Sequence, residues 1–132
     1  MLCERVKHPT VPRYPCRGLR GEDILVEDMH IVAGANSCDG YAVAPNTDGV
    51  NIGGRRITVR RVTVHNGDDC IPVNGEAGGF TDDVRVSDIQ CNCGTNGGVV
   101  YDNGGRVQNV VFSNMTVNGT NQARVKCVLR RC

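Results

Sequence analysis

Asp48, Asp68, Asp69 and Asn96, with the cation pair Arg124 and Lys126, are the residues whose types and spacing could do chemistry in this chain. Asp48 stands two residues before Val50, and Asp69 two residues before Ile71. Stacked as neighbouring strands, those stretches would bring the two aspartates to about 4.8 Å from each other. Carboxylates that close resist being ionised together, so one can hold a proton while another accepts one. Arg124 and Lys126 flank Val125. Strand alternation sends both to one face, where a guanidinium beside an ammonium suits a ligand carboxylate. Asp68 and Asp69 cannot both lie on one face of a regular strand, so at least one belongs to a bend or bulge.

A repeat must position these groups. Two alternating apolar residues, followed after a two-residue gap by two more, occur four times: Ile24/Val26/Met29/Ile31, Ile57/Val59/Val62/Val64, Val84/Val86/Ile89/Cys91 and Val110/Phe112/Met115/Val117. The starts lie 33, 27 and 26 residues apart, a spacing that signals stacked solenoid units. The alternation is strand-like, and the polar gaps Arg60-Arg61, Ser87-Asp88 and Ser113-Asn114 read as corners. A second short strand follows each unit, at Val50-Asn51-Ile52, Ile71-Pro72-Val73, Val99-Val100-Tyr101 and Val125-Lys126-Cys127. The pattern predicts an all-β fold, a right-handed parallel β-helix (solenoid) of about four coils. A β-sandwich also has many short strands, but it does not require one apolar string at nearly constant spacing. Residues 1–22, with Pro9, Pro12 and Pro15, are expected to form an irregular leader, and 23–132 a partial β-helix domain in which 32–45 is a longer loop.

Composition excludes several classes. With 132 residues there is room for one small domain, and seventeen glycines without a tryptophan argue against a helical bundle. Residues 1–20 carry five basic side chains and 121–132 carry four, while acidic residues dominate the middle. No basic stripe with interleaved aromatics marks a nucleic-acid module. An anionic small molecule or polysaccharide is the expected partner, and a monomer the expected state. Eight cysteines point to an oxidising compartment and to disulfides, since only Cys91 and Cys93 lie close together and no second pair completes a zinc site. No metal and no cofactor is expected. The sequons at Asn114 and Asn118 agree with secretion. Residues 1–20 hold no signal-peptide core, and no apolar run approaches membrane-spanning length. His8, His30 and His65 have no partner at ligand or triad spacing.

Asn46-Thr47-Asp48, Gly67-Asp68-Asp69-Cys70 and Arg124-Val125-Lys126 resemble, in order, three signature segments of the polygalacturonase (pectinase) family, glycoside hydrolase family 28. Each tripeptide alone is a weak signal; three in order on the repeat make a strong one, covering about Ile24 to Cys127. The resemblance implies an extracellular enzyme that hydrolyses pectin-type polygalacturonate with inversion. It implies Asp68 as the general acid, Asp48 and Asp69 as the pair that positions and deprotonates water, and Arg124 and Lys126 as binders of substrate carboxylate. Inversion usually needs about 6.5–9.5 Å between acid and base, which carboxylates split between coils can provide. Cys70 resembles a family cysteine bridged to the neighbouring coil, which implies Cys93 as its partner, with Cys91 the alternative. The chain departs from the family at Thr95-Asn96-Gly97, where Gly-His-Gly is expected, and it supplies fewer coils than family members have. Taken singly, each aspartate reads as turn chemistry, Asn96 as a rung of an asparagine turn, and Arg124 with Lys126 as a solvated face. Two alternatives follow: a non-catalytic pectin-binding β-helix, and a pectin or pectate lyase using calcium-binding carboxylates with an arginine base.

Overall fold

The computed structural model describes residues 16–33, 46–75, 78–118 and 121–126, with residues 16–17 and 121–126 as backbone only. Seven strands follow in order: β1 (Cys16–Ala33), β2 (Val50–Asn66), β3 (Ile71–Asn74), β4 (Phe80–Cys93), β5 (Asn96–Tyr101), β6 (Arg106–Asn118) and β7 (Asn121–Lys126). Every pairing among them is parallel, which excludes an antiparallel sandwich. The architecture is a right-handed parallel β-helix.

Two rows of strands build it. In the first, Ile24, Ile57, Val84 and Val110 stand in register across β1, β2, β4 and β6, as do Ile31, Val64, Cys91 and Val117. In the second, the start of β2 pairs with β3, β3 with β5, and β5 with β7, aligning Ile52, Val73, Val100 and Val125. The apolar repeat therefore is the coil. Its inward residues Ile57, Val59, Val62 and Val64, with Val84, Val86 and Ile89, are at most 1% exposed, and burial of each contributes roughly 1.5–3 kcal/mol.

The polar gap in each repeat is a backbone corner. Asp28, Arg61, Asp88 and Asn114 all have φ between 47° and 56°, and so do Asp23, Arg56, Asp83 and Asn109 one corner earlier. A left-handed residue at the gap lets alternation resume with the next apolar pair again facing inward. Asp and Asn tolerate this conformation because short polar side chains bond locally, but Arg does not share that advantage. Here each arginine corner stacks on an acidic one: Arg56 bonds Asp23 and Glu22, and Arg61 bonds Asp28 and Glu27, at 2.6–3.0 Å.

Two boundaries differ from the sequence reading. Strand β1 already runs from Cys16, so the second part of the expected leader 1–22 pairs with β2, Leu19 against Ile52. Val32 and Ala33 likewise belong to β1, not to the expected loop 32–45. Residues 1–15, the rest of that loop and Cys127 lie outside the described residues.

Candidate active site

The second row of strands begins at turns, and those turns carry the polar groups. Asp48 closes the turn before β2, Asp68 and Asp69 lie between β2 and β3, and Thr95 and Asn96 open β5. Main-chain bonds extend the parallel ladder into the turns: Gly49 N–H donates to Asp69 O at 2.9 Å, Val50 N–H to Cys70 O at 3.0 Å, and Cys70 N–H to Asn96 O at 2.8 Å. Buried Asn66 ties the turns together, its amide donating toward the carbonyls of Thr47, Asp68 and Asp69 at 2.8–3.0 Å. Two glycines permit the close approach. A Cβ at Gly49 would stand 2.4 Å from Cys70 O, and one at Gly94, which has φ +66°, would stand 2.6 Å from Asp68 O.

Asp48, Asp68 and Asp69 converge, with one carboxylate oxygen from each lying within 4.8 Å of the others. Both Asp68 and Asp69 lie in the turn, as strand alternation requires for at least one. Asp68 accepts from Asn46 N–H at 2.5 Å, from Asp69 N–H at 2.9 Å and from the Thr95 hydroxyl at 3.4 Å. Asp69, only 4% exposed, accepts from the Thr95 hydroxyl at 2.7 Å, from Asn96 Nδ2 at 2.5 Å and from the Tyr101 hydroxyl. The buried Asn96 Oδ1 has no partner among the described residues. The reverse amide orientation would set that oxygen against the Asp69 carboxylate.

Asp48 is supported differently. Among the described residues its side-chain donor is Asn51 Nδ2, at 3.2 Å, beside the Asp69 main chain, and Asn51 Oδ1 in turn accepts from Asn74, whose Oδ1 accepts from Asn103, each at 2.8 Å. Burial, and next the charge of Asp68, push the Asp48 carboxyl up to about 6, against the pull of the Asn51 bond. The surroundings of Asp48 favour a bound proton. Among the described residues the three aspartates are also the set that could meet a cation. A cation there would compete with the donors already engaged.

Arg124 and Lys126 stand outside the row that the aspartates begin. Register stacks Asp69 on Asn96, and Asn96 on Asn121. Arg124 and Lys126 lie three and five residues beyond that line, beside Val99 and Tyr101. They are on β7, separated from β3 by β5, and not in file with the aspartates, because the signature aspartates occupy turns while the two cations occupy the strand itself. The disulfide also differs: Cys70 bonds Cys91, with Cα atoms 6.0 Å apart, not Cys93. Cys70 and Cys91 both belong to the interior apolar cluster. Cys93 sits at a left-handed corner with φ 67°, its sulfur 3.5 Å from His65 Nε2, and is held in a disulfide of its own. The Cys70–Cys91 bridge anchors the turn directly behind Asp69.

Sequence reasoning passed over Asn66, Thr95 and Tyr101. An asparagine at the end of an apolar repeat and a tyrosine in the polar register of a second strand were the available signals.

The family model for glycosyl hydrolases family 28 matches residues 13–130. No curated protein and no solved structure matches the chain.

Proposed function

The chain belongs to glycosyl hydrolase family 28, and we propose that it hydrolyses a polygalacturonate-type chain by inverting acid/base catalysis in an extracellular setting. The observation that carries this reading is the convergence of three carboxylates, from turns of two adjacent coils, to within 4.8 Å. Oxygens that far apart can both accept from one water, since two bonds of about 2.8 Å span the gap. Asp48 and Asp69 supply that pair, and Asp68 donates the proton to the departing glycosidic oxygen. Arg124 and Lys126, on β7, bind carboxylates of the substrate, and Asn96 holds Asp69.

With one oxygen of each carboxyl within 4.8 Å of the others, the attacking water is held by the Asp48–Asp69 pair. A second assignment of the acid has an observation in its favour: Asp68 already accepts from three donors, whereas Asp48 is the carboxyl pushed up to about 6. On that assignment Asp48 carries the proton and Asp68 polarises water.

Release of reducing ends from polygalacturonate, with and without chelator, tests the reaction class. Hydrolysis gives chelator-insensitive release without ultraviolet-absorbing unsaturated ends. Unsaturated ends would mean a lyase, and retention of polymer without release a binding protein. The anomeric form of the first product, followed by proton NMR, decides inversion: a product that keeps the substrate's configuration refutes it.

A further inference from the structure

We propose that Tyr101 is a positioning residue of this site, its hydroxyl fixing the plane of Asp69; the proposal rests on the hydrolase reading above. Asp69 is gripped at both oxygens. Oδ1 accepts from the Thr95 hydroxyl at 2.7 Å and from Asn96 Nδ2 at 2.5 Å, while Oδ2 accepts from the Tyr101 hydroxyl. Thr95 and Asn96 come from the turn stacked on Asp69, so their contact follows from the coil register. Tyr101 does not: it pairs with Asn74 at the far end of β3, five residues beyond Asp69. The phenol has to reach back along β5 to make this bond. Without it, Oδ2 would lose its side-chain donor, and the carboxylate could swing about Oδ1.

The groups around the phenol keep it a donor. Burial comes first, then the Asp69 bond and charge, then the charges of Asp68 and Asp48, and all raise its ionisation above the ordinary tyrosine range. On β7, Lys126 is the register neighbour of Tyr101. A hydroxyl protonated throughout the working pH range contributes a fixed hydrogen bond, which suits orientation of a base and not transfer of its proton.

Two measurements on the full chain test this. Tyr101→Phe should lower kcat about tenfold with KM little changed, and move the acid limb of the pH profile upward, because a donor to the charged carboxylate is lost. An unchanged kcat, or a loss confined to thermal stability, overturns the proposal. Alkaline titration of tyrosine absorbance is independent of activity. The high-pH step absent from Tyr101→Phe should shift downward in Asp69→Asn, and a step that Asp69→Asn leaves in place overturns the bond itself. A chain that releases no reducing ends would sink the hydrolase reading, and the titration would still decide whether Tyr101 is coupled to Asp69.

Discussion

Replacing Asp48 by Asn should stabilise the protein at neutral pH while removing activity. The carboxyl is pushed up to about 6 from an ordinary 3.8, first by burial and then by the charge of Asp68. The sign follows from linkage: a folded-state value above the ordinary one means that the folded state favours the protonated form. That stability is fully present below about pH 4 and is lost as pH rises through about 6. A gap of about two units corresponds to about 3 kcal/mol at most. Asp48 is partly exposed, so solvent screening leaves roughly half of that. Asn keeps the shape, and its carbonyl can still accept from Asn51 Nδ2. Urea unfolding of both proteins across pH 4 to 7.5 is the assay. The expected result is a variant more stable than the parent by roughly 1.5 kcal/mol near pH 7.5, with the difference vanishing toward pH 4. A variant that is less stable at neutral pH, or whose advantage does not depend on pH, would refute the reading that burial and the Asp68 charge outweigh the hydrogen bonds to Asp48.

Asp68→Asn removes the proposed proton source, so turnover on polygalacturonate should fall about 10²–10⁴-fold while binding survives. Asp88→Asn, at a corner bonded to Ser87 and Asn114, should retain activity. If Asp48→Asn instead gives the larger loss, with the basic limb of the pH profile abolished, Asp48 is the acid. Cys91→Ser opens a bridge of sequence separation 21 and should cost about 3 kcal/mol on the chain-entropy account, read as a lower urea midpoint. Arg124→Ala and Lys126→Ala should weaken retention on immobilised polygalacturonate, most strongly at low salt. Unchanged retention would remove both from the substrate site.

The sequence by itself determined the coil. Ile57, Val59, Val62 and Val64 and their equivalents recur with one spacing because each coil buries the same apolar string against its neighbours. That constraint is local in the chain and therefore legible in it. The corners were legible too, since Arg61, Asp88 and Asn114 fall in the polar gap that the pattern leaves open. Three signature aspartates could be picked out because a stacked repeat brings equivalent turns together, as their oxygens do. Tertiary structure decided what the repeat does not encode. The choice of Cys91 over Cys93 depends on which side of a left-handed corner the sulfur falls, and a two-residue offset in sequence cannot reveal that. The register stacks Asn121 on Asn96 and leaves Arg124 and Lys126 farther along β7, a pairing between strands that the sequence of either strand does not carry. The raised Asp48 carboxyl and the reach of Tyr101 to Asp69 arise from burial and from contacts between residues 20 and 32 positions apart. Periodicity fixes which residues face inward; the proton affinities of the site follow from the dielectric and the partners that only the closed coil assembles.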